Sequence, residues 1–494
     1  MSVTPTNALR VLFVTPECYP VVKTGGLADV AGALPLALAP LGVDARVLLP
    51  AYPGTLERVR DVRTVAQLPQ LFGGTGNLLD AVTDDGLHLW LIDAPHLYRR
   101  DGGGPYLGPD GHDWPDNHLR FAALSYVGAQ LAVGAIAGVD AWQPHVVHLH
   151  DWQAALTAAY LHFDKRPTPP TLLTIHNLAF QGVFPAELVR SLRLPAAAMK
   201  IDGMEYWGQL SFLKAGLNWS THLSTVSPTY AREILTPDEG MGFDGLLRMR
   251  AHELTGIANG IDTVVWNPTS DRHLIEPFSV RRLTAKARNK AALQRELGLQ
   301  VEADAPLFCV VSRLTSQKGV DLLLDALPRL LGRGAQLALL GTGDRELEAA
   351  FHRAAESNPA QVAVVIGYDE ALAHRLQASA DAVVMPSRFE PCGLSQLYGL
   401  RYGTLPVVAR VGGLADTVID ANEAALHDGV ATGFQFSPVD ADALAVAIDR
   451  ACDLYGDAAE WRRVVRRAMT RDVSWRRAAQ RYFEVYQQIL AAPV

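Results

Sequence analysis

Short apolar runs rich in β-branched residues recur along the chain, and helical patterns separate one run from the next. Parallel strands that are buried on both faces read as continuous apolar runs, and helices connect them. The sequence therefore predicts an α/β fold with parallel sheets. The predicted strands are Val11–Thr15, Ala45–Leu49, Val146–Leu149, Thr171–Ile175, Phe308–Val311, Leu337–Leu340, Val362–Ile366, Ala382–Met385 and Pro406–Ala409.

Two domains fit both the length of the chain and the spacing of these runs. The chain has 494 residues, and a domain has about 150 residues as a loose average. From Gly256 to Asn289 the pattern loses its regularity, and a fresh series of strands begins at Phe308. We expect one domain at residues 1–255, a second at 256–474, and an amphipathic helix at 475–494 that could pack back on the first domain.

The charge balance disfavours several classes of partner. Asp and Glu number 52 against 44 Lys and Arg, which gives a formal net charge of −8. A mildly acidic chain lacks the positive electrostatic field that attracts nucleic acids and anionic membranes. Neither is therefore expected as a partner. The four cysteines lie far apart, and the amino-terminal residues 1–7 show no secretion signal. We expect a reduced, cytoplasmic protein.

One uncharged stretch, Phe121–Val139, is almost as long as the roughly 20 residues that a membrane-spanning helix needs. Ala and Gly dominate it, and Ser125 and Gln130 interrupt it. The stretch therefore predicts a buried helix in preference to a membrane span.

Loops that follow the predicted strands are the places to look for a site, because ligands of open α/β sheets bind beyond the carboxyl ends of the strands. The segment Lys23-Thr24-Gly25-Gly26 follows the first strand, and backbone N–H groups beside a lysine suit a phosphate. Arg313 and Lys318 follow the strand at Phe308 and precede a helix. An arginine fork and a lysine charge suit a diphosphate there, with solvated surface cations as the alternative.

Two common nucleotide-binding motifs are not found where they would hold a nucleotide: GxGxxG is needed in the tight turn after the first strand, and the glycine pair at 25–26 lies far from that strand. The segment Gly341-Thr342-Gly343-Asp344 follows a strand but lacks the third glycine of GxGxxG, and no GxxxxGK[ST] sequence occurs. Nicotinamide, flavin and P-loop enzymes are therefore disfavoured. Asp344 is predicted to cap the helix that follows it.

Glu390 follows the strand at Ala382 and stands between Phe389 and Pro391. A carboxylate held rigidly at a strand end, near backbone donors, can bind sugar hydroxyls or stabilise a developing positive charge.

Histidines end two strands of the first half of the chain. His148, His150 and Asp151 follow one strand, and His176 follows the next. Catalytic zinc needs three convergent ligands, and His176 need not reach the face that the other two histidines share, so a metal site is disfavoured. Trp152 is either a carbohydrate contact or a core residue.

The sequence Gly-Gly-Leu-Ala-Asp occurs twice, at 25–29 and at 412–416. The first copy follows the opening strand of its half and the second follows a late one, so the two are not equivalent positions of a duplicated domain. Chance and a shared role in lining a cleft both remain open.

Taken in chain order, these segments resemble the bacterial glycogen synthase and plant starch synthase family. The likeness covers nearly the whole chain. The segments that carry it are Lys23–Val30, Ile92–Tyr98, Asp116–Asn117 with Arg120–Phe121, His150–Trp152, Thr174–Asn177, Asn259–Asp262, Ser312–Arg313 with Gln317–Gly319, Glu390–Leu394 and Tyr398–Thr404.

The resemblance implies the GT-B fold, with two Rossmann-like, doubly wound parallel-sheet domains that face an interdomain cleft. It implies an ADP-glucose-dependent glycogen synthase activity: glucose passes from ADP-glucose to the non-reducing end of an α-1,4-glucan with retention of configuration, and ADP is released. Its partners would be ADP-glucose and glycogen. No metal or other cofactor is expected, because cations of the chain would balance the leaving group.

The resemblance also implies site residues. The catalytic set would be Glu390, His176, Asp151, Arg313 and Lys318. The donor would be bound by Lys23, Gly25, Gly26, Asn259, Gly341, Gly343, Tyr368, Cys392, Gly393 and Leu394. The acceptor would contact Tyr98, Trp152 and Asn177.

One departure concerns related transferases of the same fold, which often carry two glutamates in an E-x7-E spacing. The second position here is Tyr398, a change shared by members that use ADP-glucose. Three alternatives stay open: a glycogen phosphorylase, which needs a pyridoxal phosphate lysine; a non-hydrolysing sugar-nucleotide epimerase; and a non-catalytic glucan-binding protein.

Overall fold

The computed structural model of the chain describes residues 8–491. The chain divides into two compact units. The first comprises the described residues up to Val226, the segment Ala231–Asn259 and the residues from Trp475 onward, and the second comprises Ser227–Tyr230 and Gly260–Ser474. Residues 1–7, for which no secretion signal is predicted, and residues 492–494 of the predicted terminal helix lie outside the described residues.

The first unit is built on a large sheet and a small one. The strands are β1 (Leu9–Val14), β2 (Val43–Pro50), β3 (Arg60–Leu71), β4 (Gly74–Val82), β5 (His88–Asp93), β6 (Val146–His150), β7 (Thr171–Ile175), β8 (Val183–Pro185), β9 (Glu205–Tyr206), β10 (Gln209–Ser211), β11 (His222–Thr225) and β12 (Leu254–Gly256). The large sheet has the order β12-β11-β7-β6-β1-β2-β5-β4-β3, and the small one has the order β8-β10-β9. From β12 to β5 the neighbours are parallel, whereas β4 and β3 are antiparallel additions at one edge.

Helices connect these strands. They are α1 (Gly26–Leu38), α2 (Pro95–Tyr98), α3 (Asn117–Ala132), α4 (Asp151–His162), α5 (Phe212–Trp219), α6 (Pro228–Glu233), of which residues 228–230 belong to the second unit, and α7 (Asp244–Met249). α1 begins directly after the loop that follows β1, and α4 begins directly after β6.

The second unit contains a single sheet with helices between its strands. The helices are α8 (Thr284–Glu296), α9 (Val320–Gly332), α10 (Arg345–Ser357), α11 (Glu370–Ser379), α12 (Ser395–Tyr402), α13 (Gly412–Thr417), α14 (Glu423–His427), α15 (Ala441–Gly456) and α16 (Ala458–Met469). The strands are β13 (Leu307–Val311), β14 (Gln336–Gly341), β15 (Val362–Ile366), β16 (Ala382–Met385), β17 (Leu405–Ala409) and β18 (Phe434–Phe436).

All strands of the second sheet are parallel, and their order is β15-β14-β13-β16-β17-β18. Numbered from the first strand of the unit, this is the Rossmann order 3-2-1-4-5-6. The order reverses between β13 and β16, and ligands of such sheets bind beyond the carboxyl ends of the strands at that point. The loops after β13 and β16 are therefore the candidate site of this unit.

Burial explains why most strands can be recognised in the sequence. Residues 11–14 of β1 are fully buried, as expected of a strand covered on both faces. Each predicted strand coincides with an observed one, which confirms the predicted α/β fold. The prediction missed β3–β5, β8–β12 and β18. Most residues of β3 are exposed, so an edge strand of this kind has no continuous apolar run, whereas β5 was missed although its residues 89–92 are buried.

The uncharged stretch from Phe121 forms part of α3, and Phe121, Ala122 and Leu124 are fully buried. This burial confirms the predicted buried helix. The helix ends at Ala132, before the end of the uncharged stretch at Val139. Within residues 8–491, no helix combines the length and the hydropathy that crossing a bilayer would require.

The last described helix, α17 (Arg476–Ala491), belongs to the first unit. Trp475, Tyr482 and Tyr486 are buried in the same core cluster as Val11 and Phe13 of β1. The carboxy-terminal helix therefore completes the core of the unit that the amino-terminal half of the chain begins.

Candidate active site

The loops after β13 and β16 touch each other at a glycine. Gly319 ends the first loop with a positive φ of 61°. A Cβ atom there would lie 1.9 Å from the carbonyl oxygen of Pro386, so only glycine allows the two loops to approach this closely. The contact brings Lys318 next to the segment that carries Glu390.

Glu390 is the buried centre of these loops, with 5% of its surface exposed. One of its carboxylate oxygens accepts a hydrogen bond from Lys318 Nζ at 2.6 Å and another from Ser387 Oγ at 2.9 Å. A buried carboxylate needs such partners to remain charged. Lys318 and Glu390, predicted to bind the diphosphate and the sugar, therefore form an ion pair in this structure.

Arg313 stands in a different position. Its side chain is exposed, and its guanidinium donates a long hydrogen bond of 3.4 Å to Gln317 Oε1. This cation can meet an anion without first giving up a carboxylate, whereas Lys318 is already neutralised by Glu390.

The second copy of the repeated sequence packs against the Glu390 loop. Gly413 N donates to the carbonyl oxygen of Glu390 at 3.0 Å. A Cβ at Gly413 would lie 2.2 Å from the carbonyl oxygen of Cys392, and Gly393 has a positive φ of 69°. The glycines at 393 and 413 thus fix the backbone on both sides of buried Cys392. Leu394, next in the chain, is half-buried.

Gly341 and Gly343 let the loop after β14 run beside the loop after β13. A Cβ at Gly341 would lie 2.1 Å from the oxygen of Ser312, and one at Gly343 would lie 2.3 Å from the oxygen of Leu314. Close backbone packing therefore explains both glycines. Asp344 caps α10 by accepting a hydrogen bond from the N–H group two residues on, which confirms that prediction.

Tyr368, predicted to stack on adenine, lies just after β15 and exposes 75% of its surface. Its hydroxyl donates to Glu370 Oε2 at 3.4 Å. The ring is accessible to a ligand, and the stacking role stays a prediction.

In the first unit, the loop after β1 folds around Glu17, which sequence reasoning missed. Glu17 is 2% exposed. It accepts hydrogen bonds from the N–H and hydroxyl of Thr24, from the N–H of Gly25 and from the hydroxyl of Tyr106. Burial raises the pKa of this carboxyl group, and the hydrogen bonds act against that rise. An acidic residue directly after an apolar strand is the signal that could have identified it.

Lys23 has a partner within its own segment. Its Nζ lies 2.8 Å from Asp29 Oδ1 in the first turn of α1 and 5.4 Å from the centre of the Tyr19 ring. Gly25 precedes the helix, Gly26 begins it, and a Cβ at Gly25 would meet no atom within 4 Å. Hydrogen bonds to buried Glu17 therefore stabilise the predicted anion-binding loop, and Lys23 forms an ion pair with Asp29.

Asp151 is buried at the first position of α4, with a positive φ of 57°. Its Oδ1 accepts a hydrogen bond from the backbone N–H of His176 at 2.6 Å. Burial raises the pKa of Asp151 to about 7, against the effect of the backbone hydrogen bonds from residues 176 and 177. This carboxyl group is therefore close to half-protonated near neutral pH.

The ring of His176 is joined to His150, with 2.9 Å between Nε2 of the former and Nδ1 of the latter. Burial lowers the pKa of His176 to about 3 and that of His150 well below its ordinary value. Both imidazoles are neutral at physiological pH. The structure therefore brings Asp151 and His176, both predicted as catalytic residues, into contact, and the imidazole of His176 is paired with that of His150.

His148 points to other partners. Its ring nitrogens lie 2.8 Å from the hydroxyl of Tyr486 in α17 and 2.6 Å from Thr174 Oγ1. Across residues 8–491, no group of three or more His, Cys, Asp or Glu side chains is arranged to hold a metal ion.

Two predicted acceptor residues are packed into the first unit. Tyr98 is 1% exposed, and its hydroxyl donates to the carbonyl oxygen of Arg120 at 2.7 Å. Trp152 is half-buried, with its ring centre 5.0 Å from that of Phe121, and a Cβ at Gly182 would lie 2.3 Å from the indole. Tyr98 offers no accessible surface, and the packing of Trp152 favours the core interpretation.

The two predicted asparagines differ in their partners. Asn177 is half-buried, and its Oδ1 accepts from the N–H of Ala179 at 3.0 Å. Asn259 Oδ1 is buried without a hydrogen-bond partner among the described residues. A buried acceptor of this kind is one that a ligand or water can satisfy.

Two family models match the chain. The starch synthase catalytic domain matches residues 10–249, and glycosyl transferases group 1 matches residues 298–467. The chain is 57% identical to a glycogen synthase of Roseobacter denitrificans, over 98% of this chain and 100% of that protein. It is 56% identical to a glycogen synthase of Rhodopseudomonas palustris, over 98% of this chain and 99% of that protein.

The chain belongs to the glycogen and starch synthase family. This membership confirms the resemblance seen in the sequence and makes the chain a glucosyltransferase of that family. A solved member, the catalytic domain of starch synthase IV from Arabidopsis thaliana bound to ADP and acarbose, is 31% identical with a TM-score of 0.88. It covers 98% of this chain and 100% of its own, so the prediction of two Rossmann-like GT-B domains is confirmed.

Proposed function

We propose that the chain is an ADP-glucose-dependent glycogen synthase that transfers glucose to the non-reducing end of an α-1,4-glucan, with retention of configuration and release of ADP. The observation that carries the proposal is the ion pair between Lys318 and buried Glu390, with exposed Arg313 on the same loop as Lys318, where the strand order of the second sheet reverses. Relatives named glycogen synthase, and the solved structure of a starch synthase bound to ADP and acarbose, support the substrates.

The leaving group governs the first part of the mechanism. Breaking the bond between glucose and diphosphate places negative charge on the phosphate, and catalysis requires groups that bind this charge more strongly in the transition state. Arg313 forks onto phosphate oxygens without losing a carboxylate partner. The ammonium group of Lys318 moves from Glu390 towards the phosphate, while the hydroxyl of Ser387 keeps its hydrogen bond to the Glu390 carboxylate.

The second part concerns the sugar, which gains positive charge. The proposal places His176 beside the reacting glucose, and its low pKa keeps the ring neutral, so it does not repel that charge. The acceptor hydroxyl attacks from the face that the diphosphate leaves, and the leaving phosphate takes its proton. No side chain acts as a covalent nucleophile. The parts of Asp151 and Lys23, both in the first unit, remain predictions.

No metal or organic cofactor takes part in the proposed reaction, because the cations of the chain balance the diphosphate. Turnover is expected to persist in excess EDTA. The enzyme is proposed to act in the cytoplasm, with ADP-glucose and glycogen as its substrates.

The test is ADP release from ADP-glucose with and without glycogen, with UDP-glucose in parallel. Release that requires glycogen, together with a new α-1,4 linkage, supports the proposal. Arg313→Ala and Glu390→Gln should lose about 100-fold or more in kcat. Arg462→Ala, an exposed arginine outside the site, is the control and should keep full activity. Glycogen binding without ADP release, or normal turnover in both site variants, would contradict the assignment.

A further inference from the structure

His150 is a buried histidine to which the proposed reaction gives no part. It ends β6, it is fully buried, and its Nδ1 lies 2.9 Å from Nε2 of His176. The ring of His150 packs against two others: its centre lies 5.5 Å from that of Phe13, with 17° between the planes, and 4.2 Å from that of His148. This packing holds Nδ1 of His150 against His176.

The contact between the two rings holds a single proton. Burial lowers the pKa of both imidazoles and keeps them neutral, and a neutral imidazole has one N–H donor and one bare acceptor nitrogen. Either His150 Nδ1–H donates to His176 Nε2, or His176 Nε2–H donates to His150 Nδ1. The choice also decides whether the other nitrogen of His176 is a donor or an acceptor.

The far nitrogen of His150 distinguishes the two arrangements. His150 Nε2 is buried and has no hydrogen-bond partner among residues 8–491. If His150 accepted at Nδ1, Nε2 would carry a hydrogen that no group receives, whereas if His150 donates, only a lone pair is left unpaired. Among buried backbone groups, donors without a partner are rarer than acceptors without one, and the same preference applies to this ring. His150 is therefore the donor, and His176 carries its own proton on Nδ1.

Two consecutive residues thus hold His176 in place. Asp151 accepts a hydrogen bond from the backbone N–H of His176 at 2.6 Å, and His150 contacts the ring. Consecutive side chains of a strand point to opposite faces, but the positive φ of 57° at Asp151 turns the chain where β6 ends and α4 begins. The turn lets both side chains contact the residue that follows β7.

We propose that His150 is a positioning residue that fixes the tautomer and the orientation of the His176 ring, so that His176 Nδ1–H donates a hydrogen bond to a sugar oxygen. This inference rests on the proposed function, which places His176 beside the reacting glucose. A ring nitrogen that is already engaged sets the state of the other nitrogen. Because His150 is fully buried whereas His176 is half-buried, His150 acts through His176 and not on the sugar itself.

NMR of the full chain with isotopically labelled histidine reads the tautomer directly, because the protonated and the bare nitrogen of a neutral imidazole have well-separated chemical shifts. The signals that are missing from a His176→Gln variant assign those of His176. The wild type should carry the proton on Nδ1 of His176. A proton on Nε2 would overturn the proposal, whatever the variants of His150 do.

His150→Asn and His150→Gln are a matched pair of variants. The amide nitrogen of Asn is as many bonds from Cβ as Nδ1 of histidine is, so it still donates to His176 Nε2, whereas the amide nitrogen of Gln corresponds to Nε2. His150→Gln should lose the fixed tautomer and lower kcat about 10-fold or more, as the loss of a group that orients a ring nitrogen does, with a smaller change in KM for ADP-glucose. His150→Asn should keep the tautomer and most of kcat.

His222→Gln is the control, because His222 is another buried histidine of the same sheet and contacts Thr255 at 3.0 Å. It should keep kcat and the tautomer of His176, and melting temperatures identify the variants that fold. Equal kcat in the two variants of His150, or an equal loss in the control, would overturn the proposal. A wild type that releases no ADP would refute the proposed function instead, while NMR of the wild type still decides the tautomer.

Discussion

Asn in place of Asp151 should abolish a pH-dependent loss of stability in the first unit. Burial raises the pKa of Asp151 from its ordinary value of 3.8 to about 7. The folded state therefore holds this proton more tightly than the unfolded state does. Its contribution to stability is fully present below about pH 4 and is lost as pH rises to about 7, because ionisation then favours unfolding.

The magnitude follows from the two pKa values. A difference of one pKa unit corresponds to about 1.4 kcal/mol, so the rise from 3.8 to about 7 corresponds to about 4 kcal/mol at most. Asn preserves the shape of the side chain and its oxygen acceptor for His176 N. It also tolerates the left-handed backbone at this position better than most residues. Asp151→Asn thus removes the titration, and the loss of a hydrogen bond from the N–H of residue 177 would lower the melting temperature by an amount that does not vary with pH.

The assay is differential scanning calorimetry of wild type and Asp151→Asn between about pH 4 and about pH 8. The quantity to follow is the melting temperature of the variant minus that of the wild type. This difference should increase by about 10 °C from the acid to the alkaline end of the window, because one kcal/mol shifts the melting temperature of a unit of this size by about 2–4 °C. Asp164→Asn is the control that should stay nearly flat in this window, since Arg166 lowers the pKa of Asp164 and the stability gained by its ionisation is lost only as pH falls below about 4. A difference that stays flat with pH would refute the burial argument.

Three further predictions concern the loops of the candidate site. Lys318→Ala should lower both kcat and the melting temperature, because Glu390 would be left as a buried carboxylate without its cation. Adding Glu390→Gln should restore the melting temperature by calorimetry but not ADP release. Glu17→Gln should lower kcat/KM about tenfold in steady-state kinetics, because charge-assisted hydrogen bonds that shape the loop after β1 are lost; an unchanged value would count against that role. Gly413→Ala should lower melting temperature and activity, whereas Gly25→Ala, with no atom near its new methyl group, should keep its melting temperature.

Most strands that were predicted are continuous apolar runs buried on both faces. Val11–Val14 and Leu337–Leu340 are such runs, and both form strands where expected, although the buried run at residues 89–92 was missed. The edge strand Arg60–Leu71 could not be found in this way, because its exposed residues carry no such pattern. The strand order of the second sheet reverses between β13 and β16, and both strands can be recognised in the sequence. The position of the candidate site in the loops that follow them can therefore be predicted once the strand order is known.

What the sequence could not reveal are contacts between residues far apart in the chain. Lys318 and Glu390 are separated by 72 positions, and nothing in either segment indicates that the two side chains form an ion pair. The burial of Tyr98 could not be predicted either: this residue at the end of α2 is 1% exposed, and its hydroxyl donates to the carbonyl oxygen of Arg120. The acceptor contact that the resemblance implies for Tyr98 stays a prediction.

The place of α17 has a consequence for synthesis on the ribosome. Tyr482 and Tyr486 are buried in the core of the first unit, and the hydroxyl of Tyr486 contacts His148. The amino-terminal half of a nascent chain therefore waits for almost all of the remaining sequence before its core can close. A chain released early, even one that lacks only this helix, would leave the first unit unfinished although every strand of the three sheets had been made.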